Sequence, residues 1–160
     1  MSIKIKGVLL WIMGFQIIGY CLGRITQHDI VSWYPTLHKS ILTPPDIVFP
    51  IVWFILYCML AVSGSVLWQY RHQPRAKLGL VFYVLQLLLN WAWTPLFFYF
   101  HWIGVSLFCI TAIIIFTLIT IIITRKTYKL SCVLLIPYFI WLLFAGYLNA
   151  VIWLLNARIY

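Results

Sequence analysis

Residues 33–57 read WYPTLHKSILTPPDIVFPIVWFILY, and the contrast between their two halves decides the fold. The first half is polar and ends at Pro44-Pro45. The second opens a run from Ile47 to Tyr70 without any Asp, Glu, Lys or Arg. A helix needs about 20 apolar residues to cross a hydrocarbon core, so this run is long enough to span one. Within it Trp53 and Tyr57 are one turn apart and share a face. Asp46 lies beside the predicted N-terminus, where a carboxylate suits the helix dipole. Pro50 lies in the first turns, where its missing N–H costs little.

Working outward, further charge-free runs occupy 7–23, 78–124 and 130–157. The run 78–124 must hold two spans, and Tyr99-Phe100-His101-Trp102 marks the break with residues suited to the lipid interface. The chain is 65% hydrophobic and 8% charged, far below the quarter or so typical of soluble domains. The expected fold is all-α, an integral membrane bundle of five transmembrane helices forming a single domain over residues 1–160. The helices are predicted at Gly7–Gly23, Asp46–Gln69, Leu78–Tyr99 and Ile103–Thr124, with a fifth starting at Pro137 or a few residues before it. Loop Arg24–Pro45 is the longest polar segment. Its aromatic residues and its rigid end at Pro44-Pro45 read as an ordered lid.

The net charge of +9 sits at span ends, which argues for topology and against nucleic acid. Lys4, Lys6, Arg71, Arg75, Lys77, Arg125, Lys126 and Lys129 fall on one side of a five-helix path, and Arg24, Lys39 and Arg158 on the other. This split predicts a cytoplasmic N-terminus in a multi-pass protein, with a bacterial cell membrane as the expected location. Cys21, Cys58, Cys109 and Cys132 lie in or beside apolar runs without metal-ligand spacing, so no metal site is expected. No histidine lies deep in a span, which leaves no internal axial haem ligand. Asp29 and Asp46 are the only carboxylates, too few for conventional hydrolysis or proton-coupled transport.

Gln86, Asn90 and Thr94 recur at four-residue spacing and form a polar stripe that should not face lipid. Trp141, Ala145, Asn149 and Asn156 make a second stripe of bulky ring, small residue and amides. Such a stripe serves equally as interhelical glue or as a wall for a flat apolar ligand. Gly19/Gly23, Ala61/Ser65 and Gly146/Ala150 are candidate close-packing pairs for association between copies.

The residues of the opening stretch, with QLLLNWAWTPLFF (86–98) and PYFIWLLFAGYLNAVIWLLN (137–156), resemble the tryptophan-rich sensory protein family, also called the translocator protein or peripheral benzodiazepine receptor family. The resemblance rests on Trp33, Tyr34, Leu37, Lys39, Pro44, Pro45, Phe49, Val52, Trp53, Leu56 and Tyr57. In the later stretches it rests on Gln86, Asn90, Trp93, Phe97, Phe98, Pro137, Tyr138, Trp141, Phe144, Ala145, Leu148, Asn149, Trp153 and Asn156. It implies a ligand site between the helices under the first loop, binding of protoporphyrin IX and related tetrapyrroles, and a homodimer. The positions it implies for ligand contact are Tyr34, Pro44, Trp53, Asn90, Trp141, Ala145 and Asn149. Trp53 and Trp141 match the tryptophans tied to light-dependent oxidative breakdown of porphyrin. No other cofactor is required, because an indole beside a photosensitiser is itself easily oxidised. Transport of porphyrins or lipids, and regulatory binding without chemistry, are the alternatives. The chain departs from the family pattern at Ser40 (usually proline), at Leu42 (usually tryptophan) and near Cys109 (usually acidic). The family's C-terminal cholesterol motif is absent, so sterol binding is not favoured.

Overall fold

The computed structural model describes residues 5–157; Lys4 and Arg158, counted above, lie outside them. Five helices carry the fold: α1 Ile5–Ser32, α2 Val48–Gln69, α3 Pro74–Thr94, α4 Ile103–Thr124 and α5 Lys129–Asn156. No strand occurs among the described residues. Each helix is long and apolar enough to cross a membrane, as the charge-free runs predict.

Two boundaries differ from expectation. The loop expected from Arg24 begins only at Trp33, because α1 continues nine residues beyond Gly23 to Ser32. Hydropathy locates the edge of the membrane, not the end of the helix. The first real breaker is Pro35, which disfavours helical backbone at the residue before it. At 28 residues, α1 is about 42 Å long, well beyond a hydrocarbon core of about 30 Å. The expected start of the fifth helix near Pro137 is also corrected: α5 begins at Lys129 and carries Pro137 inside it. Neighbouring helices make an internal proline tolerable in a membrane bundle. α3 similarly starts earlier than Leu78, with Pro74 in its first turn, where proline is favoured.

Pro95 ends α3 and opens a π-helical turn, Pro95–Tyr99, closed by Phe100 N–H donating to the Pro95 carbonyl at 2.9 Å. The chain then reverses at His101, whose φ of 57° is in the left-handed region. α4 occupies its predicted range.

The helices pack in the cyclic order α1–α2–α5–α4–α3, and the π turn closes the ring against α1. Chain order does not reveal this order, because α2 lies beside α5. Gly19 and Gly64 allow close approach. A Cβ at Gly19 would meet the Tyr57 ring at 2.6 Å, and one at Gly64 would meet Trp11 at 2.5 Å. Gly146 faces Ile114 of α4, and Ala61 is fully buried. Gly19, Ala61 and Gly146 therefore close helix contacts within the chain.

The two ends of the bundle differ. At one end Tyr128 Oη donates to Gln73 Oε1 at 2.7 Å and Arg75 reaches Thr127, joining the α2–α3 and α4–α5 turns. The opposite end carries the loop 33–47, with a small core of its own made by Trp33, Tyr34, Leu37, Phe97, Ile103 and Ile152.

Candidate functional site

The polar stripe of α3 is resolved into a directional chain of hydrogen bonds. Tyr57 Oη donates to Asn90 Oδ1 at 3.1 Å, and Asn90 Nδ2 donates to Tyr138 Oη at 3.1 Å. Tyr138 Oη in turn donates to Gln86 Oε1 at 2.7 Å. All four residues are buried. This chain joins α2, α3 and α5 where hydrocarbon lies outside, so its internal pairing removes a desolvation cost of kcal/mol order.

Trp53 lies against this chain, its ring 5.5 Å from Tyr57 and 6.4 Å from Tyr138. Trp141, one turn along α5 from Tyr138, meets Phe49 edge to face at 6.0 Å and Phe144 at 5.6 Å. Both tryptophans are half-buried. Trp141 Nε1 is a buried donor with no acceptor in the described protein. Ala145 is half-buried one turn further along α5.

Asn149 belongs to a second polar knot nearer the loop. Its Oδ1 accepts from Trp93 Nε1 at 3.1 Å and lies 3.0 Å from Ser106 Oγ. Its Nδ2 donates to the Ile103 carbonyl at 3.1 Å. Trp93 stacks on Phe97 at 5.1 Å, and Phe97 and Phe98 both meet Tyr34. Tyr34 is buried in the turn Tyr34–Thr36, with Lys39 Nζ 4.3 Å over its ring and 3.2 Å from its carbonyl. Burial, and then the Asp46 carboxylate, push its hydroxyl up to about 12. Pro44 is half-buried in the same loop.

The loop itself runs alongside α5. Asn156 clamps the His38 backbone in both directions: His38 N–H donates to Asn156 Oδ1 at 3.1 Å, and Asn156 Nδ2 donates to the His38 carbonyl at 2.9 Å. Further along, Ser40 Oγ and Tyr147 Oη lie 2.9 Å apart, and Phe49 meets Trp141. The serine that stands where the family pattern has proline thus gives the loop a second tie to α5. Leu42, the other loop departure, is exposed. Cys109 is buried and points its thiol to the Leu89 carbonyl at 3.4 Å, a contact between α4 and α3.

Trp53 and Asn90 thus meet through Tyr57 and Tyr138, Trp141 follows one turn on, and Tyr34 reaches Asn149 through Phe97 and Trp93. Asn156 was grouped on the α5 stripe by spacing, but its clamp on His38 was not legible, nor was Tyr147. Two open clefts lie elsewhere. One of about 400 Å³ is at the loop end, lined by His101, Gly104 and Trp153; another of about 230 Å³ is at the opposite end, between α1 and α2. Neither is lined by Trp53, Asn90 or Trp141.

Among the described residues no group of three His, Cys, Asp or Glu side chains could hold a metal. Asp29 and His101 meet at 3.3 Å, and His101 stacks on Trp33 at 3.9 Å, which holds the α3–α4 connection against the end of α1.

The family model described as TspO/MBR family matches residues 9–154. The tryptophan-rich protein TspO of Chlorobaculum tepidum is 33% identical over 140 residues, which covers 87% of this chain and 89% of that one. Protein CrtK of Rhodobacter capsulatus is 32% identical over 126 residues, 78% of this chain and 79% of its own. The human translocator protein is 31% identical over 149 residues, 88% of this chain and 87% of its own.

Proposed function

The chain belongs to the TspO/MBR family of multi-pass membrane proteins, and from that premise we propose that it binds a flat tetrapyrrole of the protoporphyrin IX type between α2 and α5. The observation that carries the reading is Trp141, a half-buried indole whose buried N–H has no acceptor among the described residues. A macrocycle inserted between Trp141 and Trp53 gains aromatic contact on both faces, worth roughly 0.5–1.5 kcal/mol per ring pair beyond area burial. The ligand's carboxylates then sit at the loop, where Lys39 carries positive charge. Tyr34, Pro44 and Ala145 complete the lining. Asn90 and Asn149 serve it through the tyrosines and the tryptophan that they hold.

In this reading the basic end faces the cytoplasm and the loop end faces away. In light-driven oxidation of the bound pigment, dioxygen is the net oxidant and takes up the electrons that the pigment loses. The Trp53 and Trp141 indoles relay single electrons to the photoexcited pigment and are restored; no acid–base pair is required.

The test is absorption titration with protoporphyrin IX, followed under illumination, for wild type and the Trp53→Phe/Trp141→Phe protein. Saturable binding, with bleaching to a defined product only in wild type, is the expected result. Equal binding and bleaching in both proteins would reduce the tryptophans to walls and favour transport or regulatory binding. Absence of binding by wild type would overturn the assignment.

A further inference from the structure

The cleft of about 230 Å³ at the basic end is formed by Gly7, Val8 and Trp11 of α1 with Ser65, Trp68 and Arg71 from α2 and the turn that follows it. Small-molecule sites usually occupy about 300–1,000 Å³, so this cleft suits a headgroup fragment rather than a whole amphiphile. Its floor is aromatic: the Trp11 and Trp68 rings lie 6.4 Å apart. Trp11 reaches α2 only because residue 64 is glycine.

Arg71 is held over this floor. Its Cζ lies 4.8 Å from the Trp68 ring, and Nη1 donates to the Trp68 carbonyl at 3.0 Å. A guanidinium has five N–H donors in a planar fork, so the bond to Trp68 leaves an edge for a second acceptor. No acidic side chain competes for that edge. Asp29 and Asp46 are the only two, and both lie at the loop end. The same end of the bundle carries Lys6, Arg75, Lys77, Arg125, Lys126 and Lys129, at or beside the helix ends. An oriented cation, two indoles at interface depth and an uncompensated positive field together match a phosphate at the membrane surface.

We propose that this cleft is a headgroup site for an anionic phospholipid, with Arg71 as the phosphate-binding residue and Trp11 and Trp68 supporting the glycerol region. Phosphate chemistry is shared with the free anion, but the apolar floor at a helix–helix seam favours the lipid. The site is independent of the tetrapyrrole reading.

The experiment is native mass spectrometry of the full chain in detergent, titrated with phosphatidylglycerol and phosphatidylcholine of equal acyl length. Wild type is expected to retain phosphatidylglycerol by roughly fivefold over phosphatidylcholine, the scale of one basic residue at a membrane surface. Arg71→Gln should abolish the preference, whereas Arg125→Gln, on the same end but outside the cleft, should keep it. Gly7→Leu fills open space without changing charge or weakening the helix, and should also reduce retention. No preference in wild type, equal loss in Arg71→Gln and Arg125→Gln, or displacement of the lipid by inorganic phosphate would each overturn the proposal.

Discussion

The layer formed by Gln86, Asn90, Tyr57 and Tyr138 and the layer formed by Phe49, Trp53 and Trp141 lie about one helical turn apart, yet they handle polarity in opposite ways. In the first, tyrosine and amide groups pair with one another across three helices. In the second, flat rings meet edge to face and the Trp141 N–H has no partner among the described residues. The first layer closes on itself save for Gln86 Nε2, a buried donor without a partner among the described residues; the second adds half-exposed ring surface to its own unpartnered donor. The difference separates what holds the bundle from what is available to bind.

The most severe test of that separation is Asn90→Leu, which leaves the Tyr57 hydroxyl and the Tyr138 oxygen without their partner. Stability should fall by about 2–3 kcal/mol, read as a lower thermal unfolding midpoint in detergent. A variant of unchanged stability that no longer binds porphyrin would place Asn90 in the binding layer instead. Next in size is Trp141→Phe. Loss of the larger ring and its N–H should weaken porphyrin binding about tenfold, with stability unchanged within roughly 0.5 kcal/mol. Measuring titration and unfolding on the same preparation decides it, since a loss confined to stability would make Trp141 a packing residue.

Asn156→Ala probes the loop fastened to α5 at the same end of the bundle. Removing its two bonds to His38 should lower stability by about 1 kcal/mol and speed both ligand release and protease cleavage within residues 38–47. Unaltered release would mean that the loop does not gate the site. The smallest effect concerns Tyr34. Its hydroxyl is raised from 10.0 to about 12, chiefly by burial and secondarily by Asp46. Its contribution to stability is therefore complete below pH 10 and is lost as pH rises from about 10 to 12. A tyrosinate absorbance titration of wild type against Tyr34→Phe should show this late component, and Asp46→Asn should move it down only slightly.

Much of the helical plan was legible. α4 matched its predicted range because Trp102 and Arg125 bracket an uninterrupted apolar run, and α2 was displaced only from Asp46 to Val48. α1 and α5 each differ from expectation at one end, because polarity over residues 24–32 and the proline at 137 resemble helix ends. Neither feature breaks a helix that has neighbours or length to sustain it. The site was legible as residue types on shared faces, as with Gln86 and Asn90, but not as bonds. Tyr138 carried no sign that it would accept from Asn90 and donate to Gln86. Ser40 read only as a missing proline, although it pairs with a tyrosine far along the chain.

By itself the sequence determined the five spans, the segregation of charge to their ends and the faces on which amides and indoles lie. These follow from local properties: the transfer cost of charge into hydrocarbon and the 3.6-residue period of the helix. Only the tertiary structure decided that α2 lies beside α5, that Asn156 fastens the first loop and that the Trp141 N–H has no partner among the described residues. Each depends on which helices become neighbours, and that is settled by close approach at residues such as Gly19 and Gly64 and by pairing of buried polar groups. Such preferences are collective, and no single span carries them.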